Sequence, residues 1–188
     1  AIGFVLYDKS PRFVSPQRAA ALAQRLPPFV TPVLLFVNAT PEALRGAIEQ
    51  LPHAVLQFHG DETPSQCDVA GRAYLRAARM APGIDLLDFA ARFSNAQALL
   101  LDTHVEAYGG GGKVFDWSLV PPDVPLPVVL SGGLNAANVI DGMLRVRPWA
   151  VDVSSGVESA KGIKDAEAMR RFCQAVREAD ARTADTVI

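Results

Sequence analysis

Cysteine, lysine and long apolar runs are what this chain has least of. Only Cys67 and Cys173 occur, too few and too unpatterned for a disulfide framework or a zinc site. A reducing, cytoplasmic setting is the expectation. Lysine stands only at positions 9, 113, 161 and 164. None of these falls inside a strand-like run, which argues against a Schiff-base aldolase with its buried strand lysine. No apolar run reaches membrane-spanning length and no leader pattern opens the chain, so no membrane is expected as partner. The formal net charge is −2 and no basic tract is present, so nucleic acid is not expected either. There is no G-x-G-x-x-G after an early strand and no G-x-S-x-G elbow. No His, Cys and carboxylate cluster has metal-ligand spacing. No metal is expected.

What is present is a core. The chain has 188 residues, 49% hydrophobic and 20% charged, enough to fold and to bury a sizeable interior. Residues 1–188 are expected to form a single domain. Apolar, β-branched runs at residues 2–7, 33–37, 54–58, 98–101, 127–130 and 150–153 read as strands, with a weaker one at 74–78. Helices are expected over 16–25, 42–50, 85–92, 135–144 and 165–177, with a short one from Thr63-Pro64. Ser15-Pro16 and Thr40-Pro41 are start signals, a capping hydroxyl followed by proline.

Strand, loop and helix thus alternate about seven times, the pattern of a parallel sheet covered by helices. An open doubly wound sheet and a closed (β/α)8 TIM barrel both fit. The barrel is favoured, because ligand-type loops follow nearly every strand rather than one switch point. Such a barrel usually takes about 200 residues or more. The chain is therefore expected to be an α/β barrel lacking its first βα unit.

The chemistry is organised around residues 98–117, ALLLDTHVEAYGGGGKVFDW. An apolar run ends in Asp102, then come glycines 109–112, Lys113 and Asp116-Trp117. A titratable group at the carboxyl end of a buried strand sits where α/β folds place their chemistry. Asp102 is either a catalytic acid or an ordinary strand-end cap. Two late loops, Ser131-Gly132-Gly133 and Ser154-Ser155-Gly156, follow the last two strands, where barrels often bind phosphate through backbone amides. They are otherwise tight turns. Asp152 is as well read as a hydrogen-bonding residue as a substrate contact. Arg12 either grips a carboxylate with its guanidinium fork or is a solvated loop residue. His59, following AVLQF, is a proton carrier or a satisfied supporting group. His53, His104, Cys67 and Cys173 are expected to have no part. Together these residues suggest acid/base work on a phosphorylated small molecule.

Taken in order, GFVLYDKSPRFVS (3–15), FVN (36–38), LQFHGDE (56–62), LLLD (99–102), GGGGKVFDW (109–117), SGGLNAANV (131–139) and VDVSSGVE (151–158) resemble the phosphoribosylanthranilate isomerase family of tryptophan biosynthesis. The resemblance implies a TIM barrel that needs no cofactor, and a monomer or homodimer is the expectation. It implies an Amadori rearrangement of an aldose to a ketose, with Asp102 as general acid. By the same match Arg12 would meet the anthranilate carboxylate, and His59 and Asp152 would lie near the substrate. Gly132, Gly133, Ser154, Ser155 and Gly156 would hold its phosphate.

Two departures stand out. The family's general base is a cysteine in a K-I-C-G motif on the first strand, and neither Cys67 nor Cys173 has that context. The family loop carries a hydroxyl residue where Gly111 stands. A chain truly beginning at residue 1 would lack that thiol and is expected to show little activity, and a non-catalytic phosphosugar-binding barrel is the alternative reading. Indole-glycerol-phosphate synthase, a further phosphate-binding barrel, needs a lysine acid at a strand end.

Overall fold

The computed structural model describes residues 1–68, 71–103 and 114–184. Glycines 109–112, Lys113 and His104 lie outside the described residues. Seven parallel strands form one sheet in sequence order, β1 to β7, separated for the most part by helices: an α/β fold of the TIM-barrel type. Contacts divide the chain into two compact units, residues 1–77 with 93–97, and residues 78–92 with 98–188.

The first unit carries β1 (Ile2–Val5), β2 (Pro32–Phe36), β3 (Val55–Phe58) and the start of β4 (Tyr74–Met80). Its helices are α1 (Pro16–Ala23), α2 (Pro41–Gln50) and α3 (Pro64–Asp68). The two Ser/Thr-Pro signals do what their chemistry requires. Ser15 Oγ accepts the Arg18 amide and Thr40 Oγ1 accepts the Ala43 amide, each at 3.2 Å, with proline in the first turn. Alternation along β3 sorts its side chains. Leu56 and Phe58 face the core, where the Phe58 ring lies 6.0 Å from Phe36 and 5.7 Å from Tyr74. Gln57 and His59 therefore point to the opposite face.

The second unit carries the end of β4, α4 (Leu86–Arg92), β5 (Ala98–Thr103), β6 (Val128–Leu130), α5 (Val139–Val146), β7 (Ala150–Val151) and α6 (Ala166–Ala184). Leu99, Leu101 and Leu130 pack with Val139 of α5 and Phe172 of α6 in one buried cluster. The strand residues between them, Leu100 and Asp102, face away from those helices.

Several elements differ from expectation. β4 runs seven residues, because Arg76 and Arg79 hide an apolar alternation of Tyr74, Ala78 and Met80. α5 starts at Val139 rather than at residue 135. The side chains of Asn135 and Asn138 take up local amides, which makes residues 135–138 a turn. α6 extends to Ala184 instead of ending near residue 177. An antiparallel hairpin of β8 (Glu158–Ala160) and β9 (Ile163–Lys164) was not expected at all. It also corrects the lysine reading: Lys164 does lie in a strand, though a two-residue, partly exposed one.

Candidate active site

In the second unit the register of the sheet aligns three polar residues. Leu101 pairs with Leu130, and Leu130 with Val151. The next residue on each strand is Asp102, Ser131 and Asp152. The ladder continues through them, with Ser131 N donating to Leu101 O at 2.9 Å and Asp152 N to Leu130 O at 2.8 Å. All three thus stand in one row at the carboxyl ends of β5, β6 and β7, on the face opposite the helices. Ser131 Oγ donates to Asp152 Oδ2 at 3.3 Å. Asp102 is 7% exposed, whereas Asp152 is open to solvent. The two carboxylates therefore sit in different environments, as a division of acid and supporting roles requires.

The glycines follow directly. Gly132 and Gly133 have φ of +78° and +67°, a left-handed backbone that side chains rarely adopt. A Cβ at Gly132 would stand 2.5 Å from Thr103 N and 2.9 Å from Asp102 Oδ1. That Asp102 oxygen accepts the Thr103 amide at 2.8 Å, so Gly132 fits against the carboxylate and its one-residue turn. In the next loop a Cβ at Gly156 would lie 1.8 Å from Leu134 O. This contact seats Ser154, Ser155 and Gly156 directly on the segment that follows Gly132 and Gly133.

Lys164, which gave no signal in the sequence beyond its scarcity, secures that loop. Its Nζ donates to Ser154 O at 2.8 Å and pairs with Glu158 Oε1 at 2.9 Å, and the Glu158 side chain is only 5% exposed. Asp116, beside the expected glycine loop, has a plainer job. It caps the turn Trp117–Leu119 by accepting the Ser118 amide and hydroxyl, which hold its carboxyl below the usual carboxylate range.

In the first unit Arg12 is half-buried in the turn after β1, with its amide on Ser10 Oγ at 3.1 Å. Val14 N reaches Val5 O at 2.9 Å and pins this turn to the strand. His59 follows β3 and is 8% exposed, with Gln57 Nε2 3.3 Å from its Nδ1. Its amide donates to Phe36 O at 2.9 Å. Cys67 is fully buried on α3, and burial pushes its thiol up to about 12, so it is neither a nucleophile nor a base near neutrality. Cys173 is exposed on α6, and His53 is exposed after α2.

Sequence reasoning also passed over Arg79. Ala78 and Met80 lie in the helix-side cluster, so alternation turns Arg79 to the same face of the second unit as Asp102.

Comparison with known proteins gives a consistent result. The pattern of the N-(5′-phosphoribosyl)anthranilate (PRA) isomerase family matches residues 1–175. The N-(5′-phosphoribosyl)anthranilate isomerase of Methylibium petroleiphilum is 73% identical over 188 residues, all of this chain and 88% of that protein. The one from Dechloromonas aromatica is 61% identical, over 96% of this chain and 86% of its own length. Among solved structures, phosphoribosyl anthranilate isomerase from Thermotoga maritima aligns with a TM-score of 0.85 and 39% identity, over 94% of this chain and 87% of that one. A phosphoribosyl anthranilate isomerase in complex with reduced 1-(o-carboxyphenylamino)-1-deoxyribulose 5-phosphate aligns at 0.81 and 36%, over 94% and 86%.

Proposed function

The chain belongs to the N-(5′-phosphoribosyl)anthranilate isomerase family, and we propose that it converts N-(5-phosphoribosyl)anthranilate to 1-(o-carboxyphenylamino)-1-deoxyribulose 5-phosphate in the cytoplasm. Asp102 protonates the furanose ring oxygen. The bond between that oxygen and C1 breaks, its electron pair stays on oxygen, and the anthranilate nitrogen closes a C=N bond to C1. Removal of the C2 proton by a base gives an enolamine, which relaxes to the ketose. The substrate nitrogen is the electron sink. Cys67, sealed in α3 with its proton held on, is not the base.

The row Asp102–Ser131–Asp152, with two glycine loops packed beside it, carries this reading. A carboxyl group buried at a strand end can deliver a proton where water does not compete. Gly132, Gly133, Ser154, Ser155 and Gly156 hold the phosphate, since small residues let an anion approach backbone amides closely. Asp152, tied to Ser131, contacts a sugar hydroxyl. Arg12 takes the anthranilate carboxylate and His59 contacts the substrate. Consumption of N-(5-phosphoribosyl)anthranilate by the purified protein carrying its native N-terminus tests the proposal, and binding of phosphosugars with no turnover by that same protein would overturn it.

A further inference from the structure

A buried ion pair in the first unit has no place in the chemistry above. Glu62 is 7% and Arg76 4% exposed, with Arg76 Nη1 3.6 Å from Glu62 Oε2. A pair this deep is weak evidence for stability, because desolvation offsets most of the attraction and apolar residues often serve as well. What sets this one apart is what its two groups hold. Glu62 accepts the amides of Asn38 at 2.7 Å and Gly60 at 2.8 Å. Arg76 donates to the carbonyls of Phe58 at 2.8 Å and Gly60 at 3.0 Å, while its guanidinium lies 4.8 Å above the Phe93 ring.

Phe58 O belongs to the peptide group before His59, and Gly60 N to the one after it. The pair thus grips both peptides that carry His59. Alternation along β3 and β4 puts this grip on the helix side of the sheet and the His59 ring on the other. Asn38 completes the clasp from the end of β2. Its Oδ1 accepts the Asp61 amide at 2.7 Å, and a Cβ at Gly60 would come within 2.4 Å of that oxygen. The turn after β3 is therefore held at both peptides that flank His59 and at the Asp61 amide.

We propose that Glu62 and Arg76 are positioning residues, which fix the His59 ring toward substrate by holding its two flanking peptide groups from behind. This rests on the reading of His59 as a substrate contact. Positioning of this kind acts on the reaction through His59 alone, and a double-mutant cycle isolates it. Glu62→Gln loses one of two backbone acceptors and the charge. Asn38→Gly releases the Asp61 amide at a backbone φ of +50°, which glycine adopts freely, and leaves the ion pair in place.

Each variant, and His59→Ala, is expected to lower kcat/KM about tenfold on its own, while in the His59→Ala background the first two have less than about a twofold further effect. Full additivity of Glu62→Gln with His59→Ala would overturn the proposal and leave the role of His59 standing. Normal turnover in His59→Ala would remove His59 from the substrate, and the proposal with it. If Glu62→Gln does not fold, Arg76→Lys, which keeps the charge and loses the fork that spans the Phe58 and Gly60 carbonyls, goes through the same cycle with the same two outcomes.

Discussion

Gly132 leaves its α-carbon bare against the Asp102 carboxylate: a methyl group there would stand 2.9 Å from Oδ1 and 2.5 Å from the amide that the same oxygen accepts. A left-handed backbone at this position, at φ +78°, already favours glycine. Gly132→Ala is therefore expected to destabilise the fold by about 1–2 kcal/mol from backbone strain alone. It should also lower kcat, because the carboxylate must give way. A urea midpoint and a turnover assay on the same preparation measure both; an unchanged kcat would separate Gly132 from the acid.

Arg12 lies in a turn pinned to β1 rather than on the strand itself. If it grips the substrate carboxylate equally in ground and transition states, Arg12→Ala raises KM and leaves kcat nearly intact. Charge-assisted hydrogen bonds are worth about 1.5–3 kcal/mol, which corresponds to a rise of about tenfold or more. Steady-state kinetics read this directly, and a pure kcat defect would contradict it.

Lys164 holds the carbonyl of Ser154 and neutralises the nearly buried Glu158. Lys164→Met is expected to loosen residues 154–156 and weaken phosphate binding. The KM and the inhibition constant for inorganic phosphate should rise together, by about tenfold if one charged hydrogen bond is lost. A change in kcat with both constants unmoved would place Lys164 elsewhere in the reaction.

The titration of two buried groups predicts alkaline sensitivity. Burial raises the Cys67 thiol from its ordinary 9.0 to about 12, and burial with Asp68 nearby raises the Tyr74 hydroxyl well above its ordinary 10.0. In both cases the folded chain keeps a proton that the unfolded chain releases, so the stabilisation is full below about pH 9 and is lost above it. Each group adds a downward slope of up to about 1.4 kcal/mol per pH unit once its unfolded form ionises. Urea midpoints between pH 8 and 11 should fall accordingly. A thiol reagent at pH 8 should label Cys173 in the native protein and spare Cys67, as peptide mapping would show.

The candidate site was more legible in the sequence than its supports. The run LLLD puts Asp102 at a strand end by continuity alone, and SGG and SSG each set three small residues in a row at the end of a strand-like run. Ser15-Pro16 and Thr40-Pro41 are local chemistry and were read within a residue or two. Glu62 and Arg76 are 14 positions apart, and Arg76 interrupts the apolar pattern of β4 although it belongs to the interior. Lys164 belongs to a two-residue strand, too short for any period to show. Pairings over distance leave no mark on periodicity, and each of these residues works only through one.

The account depends above all on Asp102 giving a proton to the sugar ring oxygen. Asp102→Asn keeps size and shape and removes the acid. Its kcat is expected to fall by about 10²–10⁴-fold, as for loss of a general acid, while KM and the urea midpoint stay near those of the parent. Turnover within a few-fold of the parent, with the protein folded and substrate bound, would contradict the account.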